Sequence, residues 1–114
     1  MPETIQTMDQ FQNYLNRVME RAEHHGQNVS SVLLALAGAV ILFKDASTNV
    51  EVRSYLGQTA NVLWVTIRGR RYAFRYNHNP PSVEIRLGSA KGTVQHTFTN
   101  QTPLGEVLDV MREL

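Results

Sequence analysis

The chain has 114 residues, 42% hydrophobic and 18% charged, a size and balance that fit one folded domain over residues 1–114 with a core of its own. It contains no cysteine, which excludes disulfides, thiolate metal sites and a cysteine nucleophile and fits a reducing, cytoplasmic setting. The net charge of +1 hides a division: residues 1–45 hold three basic and five acidic side chains, residues 46–100 seven and two, residues 101–114 one and three. The gathering of positive charge in the middle stretch is the strongest hint of a partner that composition offers.

The N-terminus has no basic leader followed by an apolar run, so no secretory signal is expected. The longest apolar run, Val32–Phe43, is shorter than the roughly 20 residues a membrane span needs. Thr7-Met8-Asp9-Gln10 has the form of a capping box, and Met8, Phe11, Leu15, Val18, Met19 and Ala22 follow at helical spacing. With Gly26 as a stop, a first helix is predicted over about residues 7–25. Asn28 or Ser30 then caps a second helix running to Lys44. That helix is apolar nearly all round and has to be covered on several sides. Gly38 interrupts it, so Ala39–Phe43 is readable as helix or as buried strand.

From Val50 onward the period changes to two. Strands are predicted at Val50–Leu56, Val62–Arg68, Arg71–Asn77, Ser82–Leu87 and Thr93–Phe98, separated by Gly, Asn and Pro signals. A turn at Gly69-Arg70 pairs Ile67 with Tyr72, Val65 with Phe74 and Leu63 with Tyr76. A loop at His78–Pro81 pairs Tyr76 with Val83, Phe74 with Ile85 and Tyr72 with Leu87. The rows extend to Val94, His96 and Phe98 on one side and to Val52, Ser54 and Leu56 on the other. Every junction keeps the apolar residues on one face. Thr102-Pro103 opens a short closing helix marked by Leu104, Val107, Leu108, Met111 and Leu114. The expectation is an α+β fold: two N-terminal helices, a five-stranded antiparallel meander and a C-terminal helix, with the helices on one sheet face.

The opposite face then carries Tyr55, Trp64, Arg75, Glu84 and Thr97 in one row, with Arg53 and Arg86 in the next and Glu51, Arg68 and Arg71 beyond. If open, this face suits three uses. It is a solvated surface laced by cross-strand pairs, or a subunit interface rich in the residue types of binding hot spots, or a platform for single-stranded nucleic acid, with bases stacked on aromatics and arginines on phosphates. Two glutamates in the field and only two aromatics weigh against nucleic acid.

Other candidates are fewer. His24 and His25 are adjacent on a helix, point about 100° apart and cannot chelate together, so no metal site is expected there. His96, on the core face opposite Ile85, is a satisfied buried histidine bonded to Tyr72, Tyr76 or Ser54, or else lines a small-molecule pocket with them beneath the second helix. Gly88–Thr93, "GSAKGT", lacks the order of a phosphate loop and joins two strands. No residue pattern marks a catalytic group, and no cofactor is implied.

The segments "NVLWVTIRGRRYAFRYNH", "VEIR" and "TPLGEVLDVMREL" resemble small bacterial α+β proteins carried on mobile integron gene cassettes. The resemblance implies a compact, often oligomeric protein. The order of helices before sheet is also similar to the cone-shaped ligand-binding folds of the nuclear transport factor 2 type, which end in strands where this chain ends in a helix. The functional expectation is a non-catalytic interaction or ligand-binding domain, a homodimer using the aromatic and arginine face. The alternatives are nucleic-acid binding on that face and a pocket around His96.

Overall fold

In the computed structural model, which describes residues 2–24, 29–55, 58–78 and 81–114, a short strand precedes the helices. The order is β1 (Pro2–Ile5), α1 (Met8–His24), α2 (Ser30–Phe43), β2 (Val50–Tyr55), β3 (Gln58–Ile67), β4 (Arg70–His78), β5 (Pro81–Leu87), β6 (Val94–Phe98) and α3 (Leu104–Glu113). The six strands lie side by side in chain order, every pair antiparallel. The sheet therefore has one strand more than expected. β1 is four residues, "PETI", too short and too polar to show an alternation, and it is held through pairing with β2, Glu3 opposite Val52 and Ile5 opposite Val50.

α1 begins with the capping box as expected. The Thr7 hydroxyl accepts the Gln10 amide at 3.1 Å, while the Gln10 side-chain oxygen accepts the amides of Thr7 at 3.1 Å and Gln6 at 2.7 Å. Residues 25–28, with His25, Gly26 and Asn28, lie outside the described residues, as does the side chain of His24. Ala39–Phe43 is helical, and α2 runs unbroken through Gly38.

The α2 cap differs from expectation. Val29 stands at the N-cap without a capping side chain, and Ser30 is already helical. The orphan amides of Ser31 and Val32 donate instead to the side-chain oxygen of Asn100, at 2.9 and 3.1 Å, from the β6–α3 connection. Thr102, expected to cap α3, accepts the Thr99 amide at 3.0 Å and closes the turn before the helix, whose N-cap is Pro103.

The β3–β4 turn falls one residue earlier than predicted, on Arg68-Gly69, with Ile67 opposite Arg70. Both turn residues have positive φ, 49° and 79°, as a two-residue hairpin with the strands' natural twist requires. Arginine in that conformation is held from outside. The Asp45 carboxylate accepts the Arg68 and Gly69 amides, each at 2.7 Å, and the Arg68 guanidinium donates to the Met111 carbonyl at the end of α3, at 2.6 Å. These backbone bonds, Gly69 first and Arg68 second, hold the Asp45 carboxyl below the ordinary carboxylate range.

The shifted turn offsets β3 against β4 by two residues, so Val65 faces Tyr72 and Leu63 faces Phe74. A shift of two preserves which face each side chain takes. β4 and β5 pair as predicted. A bulge near Arg86 sets Val94 opposite that residue, while His96 meets Ile85 and Phe98 meets Val83 as expected.

One core lies on one side of the sheet. Val50, Val52, Leu63, Val65, Ile67, Tyr72, Phe74, Val83, Ile85 and Phe98 meet Phe11 of α1, Val32, Leu36, Ala39 and Val40 of α2, and Val107 and Met111 of α3. α2 packs against both α1 and α3. A smaller cluster on the other side holds Val62, Trp64, Ala73 and Ala90.

Candidate interaction surfaces

The outer sheet face carries Trp64 as parity demands, but it is not the open platform expected of it. Trp64 is only 7% exposed. Its register neighbours are Glu51 and Ala73: the two-residue offset of β3 against β4 moves it away from Arg75, and the β2–β3 register sets Glu51 opposite it where Tyr55 was expected. Ala73, with no bulk of its own, leaves room for the indole. The guanidinium carbons of Arg53 and Arg71 lie 5.5 and 5.3 Å from the ring centroid, within cation–π reach. Arg71, expected in one row with Glu51 and Arg68, is also ion-paired with Glu51 at 3.0 Å. Arg68, in the turn, points to the end of α3 instead.

The β5–β6 loop closes over the same face. Gly88 has φ of 81°, and its amide donates to the Arg71 carbonyl at 2.8 Å, which turns the chain back across the sheet. Gly92 comes so close to the Leu87 carbonyl that any Cβ would collide with it. Ala90 is thereby buried in the Trp64 cluster. Two arginines tie the loop down: Arg75 donates to the Ala90 carbonyl at 3.2 Å and Arg86 to the Gly92 carbonyl at 2.9 Å. Arg86 also pairs with Glu84 at 2.9 Å, the carboxylate that stands opposite Arg75 in register as expected. The motif "GSAKGT" is thus a strap over the outer face. The side chains of Tyr55 and Ser54 lie outside the described residues, although the backbone of Tyr55 pairs with Gln58, remote from Trp64.

Of the four residues proposed to share a pocket, Ser54 has its side chain outside the described residues, and the other three are placed as follows. Tyr72 is buried in the core cluster, Tyr76 packs at its edge, and fully buried Ile85 stands between β6 and Phe74 of β4. The Nε2 of His96 is 3.2 Å from Glu106 of α3, and its ring lies 4.7 Å from that of Phe98. The pair is partly exposed and joins β6 to α3. Among the described residues no three His, Cys, Asp or Glu side chains are grouped to hold a metal ion.

The surface that sequence reasoning left unassigned is the outer ridge of α2. Between Ser30 and Phe43 this helix has no charged residue. Val32, Leu36, Ala39 and Val40 are buried, but Leu34, Ile41 and Leu42 are 58%, 51% and 68% exposed. At 100° per residue these three, with exposed Ser31 and Gly38, fall on one side of the helix, away from the core. The signal was present in the helix being apolar all round, since such a helix has to be covered on more sides than one chain covers here.

An open antiparallel meander with three helices on one face, a strapped outer face and a bare apolar helix ridge define a small α+β domain. The chain matches the family described as integron cassette protein VCH_CASS1 chain over residues 11–108, and it belongs to that family. No curated protein matches it. No described helix is long and apolar enough to cross a membrane.

Proposed function

We propose that this protein is a non-catalytic interaction domain that acts as a homodimer, its copies joined through the outer ridge of α2. One observation carries the reading: Leu34, Ile41 and Leu42 are each more than half exposed, on a helix with no charge. A bare apolar ridge of this kind is a recurrent mark of association. Fully burying one aliphatic side chain is worth about 1.5–3 kcal/mol, so covering the exposed parts of all three in both copies contributes roughly 5–10 kcal/mol. Association itself costs an estimated 4–15 kcal/mol, so the dimer is expected to be weak and concentration-dependent.

The arginine face supports self-association less well. A two-fold contact there would bring Arg53 and Arg71 towards their own copies, and the indole that would anchor it is already covered. The same cover argues against nucleic acid, whose bases would have to displace two guanidinium groups to stack on Trp64. Commitment of Glu51 and Glu84 to ion pairs supports the non-catalytic reading. The setting we assign is the cytoplasm, in keeping with a chain without cysteine.

Sedimentation velocity over a wide concentration range tests this. Wild type is expected to shift from monomer to dimer and Leu42→Asp to stay monomeric. A dimer that persists in both Leu42→Asp and Leu34→Asp, or a wild type that never associates, ends the reading.

A further inference from the structure

Resting on that homodimer, we infer that the occupant of the ridge is α2 of a second copy, laid antiparallel and crossing at Gly38. Three observations lead there. The first is symmetry. Leu34 lies one turn before Gly38, and Ile41 and Leu42 lie one turn after it, so the ridge is two apolar lobes about a notch. A two-fold axis through the notch sets Leu34 of one copy beside Leu42 of the partner subunit and uses one patch twice, as an isologous contact must.

The second is the glycine itself. Glycine inside a helix is unfavourable, and an added Cβ at Gly38 would meet nothing within 4 Å among the described residues. Among the described residues nothing calls for glycine there. Close approach of a second helix backbone does, since helix axes come within about 8–10 Å only as far as the residues at the crossing permit. The third is charge. A helix surface without a charged group offers nothing to an acidic or basic partner and does not repel its own copy.

Because the chain has no cysteine, single cysteines report the arrangement without background. In the antiparallel crossing, Gly38→Cys meets its own copy and links under mild oxidation. Leu34→Cys does not link with itself, because its two copies stand about 12 Å apart along the axes at 1.5 Å rise per residue, beyond the roughly 7 Å a disulfide spans. An equimolar mixture of Leu34→Cys and Leu42→Cys gives the mixed dimer as its main product. Both of those positions are exposed, so the mixture reads out the arrangement even where Gly38→Cys disturbs the crossing. Self-linking of Leu34→Cys as fast as Gly38→Cys means a parallel pair and overturns the inference. A wild type that sediments as a dimer while neither Gly38→Cys nor the mixture links also overturns it, and leaves the homodimer standing. A wild type that is monomeric at every concentration removes both.

Discussion

Replacing Gly38 by alanine separates the fold of one copy from the joining of two, because the two effects have opposite signs. Among the described residues of the monomer the new methyl group meets nothing within 4 Å. Alanine in a helix interior is favoured over glycine by about 1 kcal/mol, which for a domain of this size corresponds to roughly 4 °C in Tm. In the dimer the same methyl group stands where two backbones cross, and separating them uncovers part of the Leu34 and Leu42 contacts. Losing a third of the roughly 5–10 kcal/mol assigned to the ridge is ~2–3 kcal/mol, a weakening of association of the order of thirty- to a hundredfold. The assay pairs thermal unfolding at a concentration where wild type is monomeric with sedimentation at a concentration where it is dimeric. Gly38→Ala is expected to melt higher in the first and to dissociate in the second. A variant that gains stability and associates as well as wild type refutes the crossing. A variant that loses stability as a monomer refutes the claim that residue 38 has room.

Two further outcomes concern the fold. Asn100→Ala removes the acceptor for the Ser31 and Val32 amides and is expected to lower stability by about 1 kcal/mol, measured by denaturant unfolding, with Asn100→Asp restoring most of it. Asp45 has a depressed folded-state pKa, so its contribution is present above the ordinary carboxylate range and is lost as pH falls through that range towards the folded value. Acid unfolding of Asp45→Asn should therefore lack the part of the wild-type pH dependence that lies below the ordinary carboxylate range; an unchanged acid limb would mean the turn does not depend on the carboxylate.

Much of this architecture is readable along the chain because side-chain parity follows from alternation. Val65 and Phe74 lie with the helices and Trp64 on the far side, as the pattern requires. Exact pairing was less legible. Turns at Gly69-Arg70 and at Arg68-Gly69 preserve parity equally, and the choice is made by Asp45, 23 and 24 residues away, which binds the Arg68 and Gly69 amides. The consequence reaches the candidate site, since that offset parts Trp64 from Arg75 and sets Ala73 beside it. The openness of the face depended on a loop whose sequence reads only as a turn; the strap exists because Arg75 and Arg86 reach its carbonyls. The ridge of α2 was legible as excess hydrophobicity. Which side of it stays bare is decided by where α1 and α3 pack, and no local pattern records that.

The cap on α2 has a bearing on how the polypeptide is born. Asn100 lies 69 residues downstream of Ser31. At about 5–20 residues per second, the ribosome delivers it roughly 3–14 seconds after Ser31 has been made. Through that interval the greasiest segment of the chain waits with its leading amides unmet and most of the sheet that will shelter it still unwritten. Nascent chains stalled before the last hairpin are therefore where chaperone capture and clumping should be sought.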